Sequence, residues 1–470
     1  MVDKKSRATI CFTVCNFLVK AISFITIPLF TRMLAPDEYG RMSVYYSYEQ
    51  LFLIVATMEL SLGAYQRGIL RYKNNLELFT SSLLTLSLGV TTVVSIVVML
   101  IVQSITEFMQ VSVNTVLLML VYFFVQPSYT AWQNRQRFFY NYKPVVFCTM
   151  LFAIMTTIGP ILGIILFGPN ADVKIGTMLV VEILFCAPFL LKQINPSLMA
   201  SNRKQVLEMW IFSLSFQWPL VLHSFSYLIL GQSDRVMIQK LVGDAETGIY
   251  SVAYTFANAM IIFQTSINQV YKPWRYQALE GEHYSDLARK TNFHILLFLV
   301  ITVLFLLLIP DVFRLFMTEY YYQCIWLIPP ISVGIFFMFL YTIFTDVEAY
   351  FGDTKSIMVV SVICAILNIL GNYFGILYSS YKSCAYVTMI CYILFAILHY
   401  LFMKRVLNVE RINNNLFDQK TILIMSLAIV GFIPVSLFLY TNIFIRYTVI
   451  ALLLILLLTN RKRITIFLHK

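Results

Sequence analysis

The sequence predicts an all-α polytopic membrane protein. Of its 470 residues, 59% are hydrophobic and only 12% are charged, and the mean hydropathy is +0.78. Soluble domains are about 45–50% apolar, with about a quarter of their residues charged. Apolar runs long enough to cross a bilayer recur from one end of the chain to the other. Together these observations exclude an ordinary soluble domain.

Polar breaks divide the chain into about fourteen candidate transmembrane helices, each close to the roughly 20 residues that a bilayer requires. The predicted spans are 8–34, 40–66, 76–104, 112–134, 144–168, 173–195, 206–231, 246–272, 291–310, 324–345, 355–378, 382–403, 420–440 and 443–459. The first span is too long for the apolar region of a signal peptide, so it is predicted to be retained. Because the connections are short, no sizeable domain is expected on either side of the membrane.

The distribution of Lys and Arg predicts the orientation of these spans. If the N-terminus is cytoplasmic, most basic residues fall in alternate, cytoplasmic loops, as Arg67, Arg71 and Lys73 do. This alternation favours an even number of helices with both termini in the cytoplasm. It also accounts for the net charge of +11. No nucleic-acid partner is predicted, because the basic residues lie in short breaks and do not form stripes with interleaved aromatic residues.

Cysteine and histidine residues give no sign of a metal or cofactor. The eight cysteines are scattered through apolar segments, and the five histidines are also dispersed. Cys11 and Cys15 lie one helical turn apart, but no His or carboxylate is near them in sequence. The cysteines are therefore interpreted as small buried hydrophobic residues.

One short motif occurs twice. The segment "PDEYGRMSVYY" (36–46) aligns without gaps with "DAETGIYSVAY" (244–254). The identical pairs are Glu38 and Glu246, Gly40 and Gly248, Ser43 and Ser251, Val44 and Val252, and Tyr46 and Tyr254. Both copies lead into the second helix of a group of six, so they share one orientation, as parallel transporter repeats do. The predicted organisation is a first lobe at 1–200 (helices 1–6), a second lobe at 201–410 (helices 7–12), and helices 13 and 14 at 411–470.

The same segments carry a family resemblance. "FLVKAISFITIPLFTRMLAPDEYGRMSVYYS" and "SDRVMIQKLVGDAETGIYSVAYTFA" resemble the polysaccharide-transport branch of the MOP flippase superfamily, and within it the Wzx-type flippases of O-antigen or capsule repeat units. A third segment, "NILGNYFGILYSSYKSCAYVT", departs from the usual Gly-Ala-rich version at "YKSCAY". With the length and the span count, the resemblance covers essentially the whole chain.

The resemblance implies both a fold and a function. The fold would be MATE-like, with two helical bundles facing each other across a central cavity that opens alternately to either side. The cargo would be a short oligosaccharide on undecaprenyl pyrophosphate, moved from the cytoplasmic to the periplasmic leaflet of a bacterial inner membrane. The end product would be O-antigen lipopolysaccharide, capsule or exopolysaccharide, and polysaccharide polymerase machinery is a possible partner.

A phosphate-bearing cargo requires fixed positive charge along its route. Charges inside a bilayer cost about 2.5–3.5 kcal/mol on insertion scales, so a retained one is expected to face a cavity. Lys20 lies roughly midway through the first predicted span, and Arg235 is adjacent in sequence to Asp234. Arg32 and Lys240, which are related by the repeat, lie at the outer ends of helices 1 and 7. These four cations, Lys20, Arg32, Arg235 and Lys240, are the predicted substrate-binding residues.

Alternative roles stay open for these cations. Lys20 could pair with Glu49 or Glu59 on helix 2 as a structural bridge. Arg32 and Lys240 could extend to lipid headgroups.

Carboxylates within the spans are candidates for binding a coupling proton or sodium ion. The candidates are Glu49, Glu59, Glu182 and Asp234, of which Glu182 lies mid-span. Asp234 could instead form a structural bridge between helices, and Glu59 could be an ordinary residue at a helix end. Asp346 and Glu348, near the inner end of helix 10, are interpreted as solvated.

Two prolines are candidate hinges. Pro28 and Pro219 lie in the leading helix of each predicted lobe, where proline removes a backbone hydrogen bond and permits a kink.

Two other functions compete. A MATE-type drug or cation antiporter has the same fold, but its cationic cargo favours buried carboxylates over buried bases. A membrane enzyme, such as a polysaccharide polymerase, requires a substantial extramembrane loop or an acidic motif, neither of which the sequence contains. The sequence therefore predicts a flippase and no enzymatic activity.

Overall fold

The computed structural model describes residues 4–281, 284–410, 412 and 416–459, and these residues form helices joined by short connections, with no strand among them. The helices of the N-terminal half are α1 (Lys4–Met33), α2 (Pro36–Thr57), α3 (Gly63–Arg71), α4 (Leu76–Leu100), α5 (Val102–Met109), α6 (Val113–Phe138), α7 (Tyr142–Phe167), α8 (Ala171–Gln193), α9 (Pro196–Ser201) and α10 (Arg203–Leu241). Those of the C-terminal half are α11 (Asp244–Ala257), α12 (Ala259–Glu280), α13 (Tyr284–Phe316), α14 (Ile328–Tyr350), α15 (Thr354–Tyr378), α16 (Ser383–Val409), α17 (Gln419–Thr441) and α18 (Ile443–Thr459). Two short 3₁₀ helices, Lys73–Asn75 and Glu319–Trp326, complete the described elements. The predicted all-α fold is confirmed.

The predicted spans all correspond to helices, but three of them cross a break between two α-helices. The span 76–104 crosses from α4 into α5 at Ile101. The span 40–66 is divided into α2 and α3, because Met58 and Glu59 adopt left-handed backbone angles (φ 49° and 48°) that end α2. The span 246–272 is divided into α11 and α12, with Asn258 between them. The spans 40–66 and 246–272 are the second helices of the two predicted repeats. In each predicted repeat, therefore, the second helix is broken.

Ten helices of the described part are long and apolar enough to cross a membrane. Neither α2 nor α10 is among these ten, since polar and charged residues interrupt their apolar runs. Helices that are too polar to be plain lipid-facing spans are expected to line a cavity or carry function. The residues of α2 and α10 are therefore the first place to look for a site.

The chain divides into two compact units, 1–248 and 249–470. In the first unit, Tyr65, Phe79 and Met209 belong to a buried cluster that joins α3, α4 and α10. In the second unit, α14 is the central helix: 83% of its most apolar window is buried. A helix that is apolar all round is expected in such a position. The predicted lobe boundaries at 200 and 410 stay predictions.

Within the first unit, the two copies of the repeated motif contact each other through their glycines. A Cβ atom at Gly40 would lie 1.8 Å from the carbonyl oxygen of Asp244, and one at Gly248 would lie 2.3 Å from that of Pro36. Only glycine permits so close an approach of two backbones. The contacts are reciprocal, because Pro36 aligns with Asp244 and Gly40 with Gly248. The parallel repeat of the two lobes stays a prediction.

Candidate functional site

Three charged side chains lie together in the interior of the first unit. Glu49 on α2 is 8% exposed, and Lys174 and Glu182 on α8 are 6% and 8% exposed. Lys174 interacts electrostatically with both carboxylates. Charges at membrane depth are costly and are retained mainly for function. We refer to Glu49, Lys174 and Glu182 as the acidic-lysine cluster.

Helical periodicity builds this cluster from two segments. Lys174 and Glu182 are about two turns apart on α8 and therefore lie on one face of the helix. On α2, Tyr45 and Tyr48 precede Glu49 on the buried side. The break after Thr57 ends α2 two turns beyond Glu49, so this carboxylate belongs to the regular part of the helix.

Lys174 has well-defined partners. Its Nζ donates a hydrogen bond to the hydroxyl of Tyr46 at 3.0 Å. The ammonium also lies 4.4 Å from the centre of the Phe30 ring and 5.1 Å from that of Tyr46, within cation–π range. The Tyr46 hydroxyl in turn donates to Met178 Sδ at 3.2 Å. Residues of α1 and α2 thus hold the side chain of Lys174, which itself belongs to α8.

The carboxylates of the cluster are less completely bonded. Among the described residues, Glu182 Oε2 and the hydroxyls of Tyr45 and Tyr48 are buried without a hydrogen-bond partner. If all three charged members were ionised, two carboxylates would face one ammonium, which leaves one negative charge in excess. An uncompensated buried charge is strongly unfavourable.

The sequence identified two members of this cluster and missed the third. Glu49 and Glu182 were predicted as coupling candidates; both are buried and interact electrostatically with Lys174, and their role in ion coupling stays a prediction. Lys174 is not among the predicted site residues, although it lies inside the predicted span 173–195. Its spacing from Glu182 was the available signal, since two helical turns place both on one face.

The other two coupling candidates lie elsewhere. Glu59 is half-buried in the left-handed turn that ends α2, and its Oε2 accepts a hydrogen bond from Ser224 Oγ at 2.7 Å. Asp234 is buried on α10, where its Oδ1 accepts from the backbone amide of Arg235 at 2.9 Å. Their proposed role in ion binding stays a prediction.

The predicted substrate-binding cations have different environments. Lys20 and Arg32 are exposed on α1, and their separation of twelve residues corresponds to about 18 Å along a helix. Lys240 is exposed and donates to the carbonyl oxygen of Phe108 at the end of α5, at 2.5 Å. Arg235 is buried at 6% exposure and donates to the Gly231 carbonyl at 3.1 Å and to Gln232 Oε1. Their binding of substrate also stays a prediction.

A polar seam joins α2, its continuation α3, and α10 within the first unit. Ser47 Oγ donates to Gln232 Oε1 at 3.1 Å, and Gln217 Oε1 accepts from the backbone amide of Ala64 at 2.9 Å. The bond from Ser224 to Glu59 lies along the same seam. Hydrogen bonds of this kind link the two helices that are too polar for plain apolar spans.

Two carboxylates of the second unit are buried with bonded partners, and here the sequence interpretation was wrong. Asp346 and Glu348 are buried, at 6% and 0% exposure. Asp346 bonds to Arg275 Nη1 at 2.7 Å and to Lys272 Nζ at 2.8 Å. Glu348 bonds to His399 Nδ1 at 3.0 Å. The carboxylates are covered because α14 is the central helix, so even its end is packed against α12 and α16.

The hinge candidates are only partly described. Pro28 lies inside α1, half-buried, and its carbonyl accepts a hydrogen bond from Thr31 Oγ1 at 3.2 Å. Pro219 falls within α10, but its side chain lies outside the described residues. The hinge role of both stays a prediction.

Comparison with known proteins places the chain in a family. The sequence model of a family described as polysaccharide biosynthesis protein matches residues 6–279, which is more than half of the chain. A second family model, MatE, matches residues 219–374. A curated relative, Lsg locus putative protein 1 of Haemophilus influenzae, is 22% identical over 381 residues, covering 77% of this chain and 89% of the relative.

Solved structures share the fold at low sequence identity. An inward-facing multidrug resistance MATE family transporter of the MOP superfamily is 14% identical and superposes with a TM-score of 0.64, covering 83% of this chain and 96% of that one. The lipid II flippase MurJ in an inward closed conformation is 13% identical with a TM-score of 0.61, covering 97% of this chain and 100% of that one. The chain is thus a multi-pass membrane protein with the MATE-like fold, and it belongs to the polysaccharide biosynthesis protein family.

Proposed function

We propose that the protein is a lipid-linked oligosaccharide flippase. It would move undecaprenyl-pyrophosphate-linked repeat units from the cytoplasmic to the periplasmic leaflet of a bacterial inner membrane, for O-antigen, capsule or exopolysaccharide synthesis. Membership of the polysaccharide biosynthesis family supports this proposal, and so does a fold shared with a protein named as a lipid II flippase. The protein would transport its cargo without covalent chemistry.

The observation that carries the proposal is a buried guanidinium on a polar helix. Arg235 is 6% exposed on α10, and its partner Gln232 is bonded to Ser47 of α2. Arg is well suited to recognise phosphate because its planar fork can make two parallel hydrogen bonds. A pyrophosphate-linked cargo matches this positive charge, whereas a cationic drug would be repelled by it.

Alternating access gives the repeated motif a role in the proposed mechanism. The glycine contact holds the amino-terminal ends of α2 and α11 together in this structure. The predicted topology puts these ends on the periplasmic side. The separation of these helix ends would then accompany opening to the periplasm. The hydrogen bonds of the polar seam between α2 and α10 could be replaced by hydrogen bonds to water at low energetic cost.

The proposal is tested by replacing Arg235 and Lys20 in cells that depend on this protein for surface glycan. Arg235→Ala and Lys20→Ala are expected to reduce glycan display strongly and to accumulate lipid-linked repeat units on the cytoplasmic side, at unchanged protein levels. Lys192→Ala, which removes an exposed lysine at the end of α8, is the matched control and should display normal glycan. Normal display in both test variants would remove these cations from the route.

The competing candidate is a cation antiporter, which the MatE match over 219–374 favours. The resistance of cells to cationic drugs distinguishes a cation antiporter from a flippase. Expression of the wild-type chain should leave drug resistance unchanged if the proposed function is right. A resistance that disappears with Glu182→Gln would favour the antiporter instead.

A further inference from the structure

We propose that the second unit contains a phosphate-binding site near the end of α12, where one edge of the Arg275 guanidinium binds a phosphate group. The inference goes beyond the proposed function and does not rest on it, because it concerns a bound phosphate and not the transported cargo. It depends only on residues of α12, α13 and α14, all of which belong to the second unit.

The first step concerns the hydrogen bonds of Arg275. This side chain is 0% exposed, and its Nη1 donates to Asp346 Oδ2 at 2.7 Å and to the Ile343 carbonyl oxygen at 3.2 Å. Its Nε and Nη2 have no hydrogen-bond partner among the described residues. Tyr271 interacts electrostatically with the guanidinium, but its hydroxyl bonds instead to Thr291 Oγ1 at 2.5 Å. Because an unbonded buried donor is costly, and a charged one more so, these two N–H groups are expected to have an acceptor.

The second step concerns the chemistry of that acceptor. Nε and Nη2 form one edge of the planar guanidinium, and their N–H bonds are parallel. Such an edge matches two oxygens of a phosphate group and binds them bidentately. The charge of the site also favours an anion, because Arg275 shares its only bonded carboxylate, Asp346, with Lys272, whose Nζ lies 2.8 Å from Oδ1. Two cations on one carboxylate leave one positive charge in excess.

The third step concerns the source of the phosphate. The ring of Tyr271 lies 4.7 Å from Cζ of Arg275 and stacks on Trp274 at 5.1 Å, and Lys290 Nζ lies 4.5 Å from the centre of the Trp274 ring. Tyrosine and tryptophan concentrate at the level of the lipid headgroups. Arg275 is also near the end of α12 at Glu280, where the chain leaves its predicted span. This position favours the phosphate of a lipid headgroup over a free phosphate ion.

The fourth step concerns access to the site. Nε and Nη2 are shielded from solvent, so a phosphate must displace a neighbouring side chain to reach them. Lys272 is the side chain suited to move, because it is half-exposed on the same carboxylate and its stem is flexible. Its ammonium would then bind the phosphate from the solvent side, as a point charge beside the bidentate arginine.

The test measures the unfolding temperature of the purified full-length protein in a maltoside detergent, at constant ionic strength set with chloride. One arm adds dihexanoylphosphatidylglycerol, with dihexanoylglycerol as the control that has the chains without the phosphate, and the other adds inorganic phosphate. A saturable rise with the phospholipid alone identifies a lipid headgroup as the ligand, and a rise with inorganic phosphate as well identifies the phosphate group itself. A wild type that neither phosphate compound stabilises beyond its control overturns the inference.

Replacing Arg275 tests whether this side chain forms the site. Arg275→Lys keeps a positive charge for Asp346 but removes the bidentate edge, and should raise the Kd for the stabilising compound by about tenfold or more. Arg405→Lys is the matched control, since Arg405 is exposed on α16 and should bind as the wild type does.

A second variant keeps the test decisive if Arg275→Lys does not fold. Replacing Arg275 by Met together with Asp346 by Leu removes both buried charges and should abolish the saturable rise. A wild-type Kd in either variant overturns the inference. Since the assay contains no cargo, failure of the flippase proposal leaves its outcome interpretable, and the converse also holds.

Discussion

The acidic-lysine cluster of the first unit and the ion pairs of the second unit use similar residues in different ways. In the second unit, each carboxylate makes a direct bond of 3.0 Å or less to a basic nitrogen, Asp346 to Arg275 and Glu348 to His399. In the first unit, Glu182 Oε2 has no hydrogen-bond partner among the described residues, and Lys174 donates to a tyrosine hydroxyl. Directly bonded pairs fix a packing arrangement, whereas the unbonded carboxylate oxygen of Glu182 leaves the cluster less firmly held.

The largest effect is expected from breaking the Asp346 group. Arg275→Ala should lower the free energy of unfolding by about 3–5 kcal/mol, because it removes the buried partner of Asp346. The measurement is thermal unfolding of the purified protein in detergent. Lys272→Ala is the matched control: this lysine is half-exposed on the same carboxylate, so about 0–1 kcal/mol is expected. Equal losses of stability in Arg275→Ala and Lys272→Ala would show that the burial of Arg275 does not make it the more important partner of Asp346.

A double replacement sharpens the interpretation. Replacing Arg275 by Met together with Asp346 by Leu removes both buried charges at similar volume. It should cost less stability than Arg275→Ala alone, since neither charge is left unpaired. A double variant that is less stable than the single one would indicate that the ion pair itself, and not the unpaired charge, sets the stability.

A smaller loss is expected at the hydrogen bond between Glu348 and His399. His399→Ala leaves the buried carboxyl of Glu348 without its partner and should cost about 1–3 kcal/mol. The ring of Tyr341 stacks on His399 at 5.7 Å, so part of the loss is packing. His399→Gln, which retains a hydrogen-bond donor, should recover some of the stability in the same thermal assay. If His399→Ala unfolds at the wild-type temperature, the pair is not structural.

In the acidic-lysine cluster, by contrast, a replacement is expected to change stability little and function strongly. Glu182→Gln is expected to change the unfolding free energy by less than about 1 kcal/mol, since it removes an incompletely bonded charge at nearly equal volume. Glycan display, however, should fall strongly. The measurement pairs thermal unfolding with quantified surface glycan in the same cells. A Glu182→Gln variant that loses stability but retains surface glycan would show that Glu182 has a structural role.

The smallest effect is expected at an exposed carboxylate that caps a helix. Asp418 precedes α17 and accepts hydrogen bonds from the Thr421 hydroxyl at 2.5 Å and the Thr421 amide at 3.2 Å. The hydroxyl first, and then the amide, hold the pKa of Asp418 below its ordinary value. The stability that ionised Asp418 contributes to the fold is therefore fully present above the ordinary pKa of an aspartate. It is lost as the pH falls through the lowered pKa that Asp418 has in the folded protein.

Asp418→Ala should lower the unfolding temperature slightly at neutral pH and have no effect in strong acid. Asp418→Asn, which can still cap, is the control. A loss that is independent of pH would exclude the capping role.

Much of the fold could be predicted from the sequence. The apolar runs predicted the helices, because a bilayer fixes the length and polarity of any segment that crosses it. The repeated motif at Gly40 and Gly248 predicted a parallel repeat, which stays a prediction; the structure shows only that these two glycines lie at a close backbone contact. The break after α2 was not predicted. It depends on left-handed backbone angles at Met58 and Glu59, which neither residue type favours.

Much less of the site could be predicted. Glu49 and Glu182 were recognisable as carboxylates inside spans, since local sequence alone reveals a charge in an apolar run. Burial of Asp346 and Glu348 was not recognisable, because it depends on the neighbours of the central helix α14.

The amino-acid sequence by itself determined that this chain is a bundle of membrane-crossing helices, since hydropathy and length are properties of each segment alone. The tertiary structure decided which charges meet. Lys174 reaches Tyr46, and Gly40 meets Gly248, only because helices distant in the chain pack side by side. Contacts of that kind depend on which faces of two helices come together, and that information does not reside in either segment taken separately.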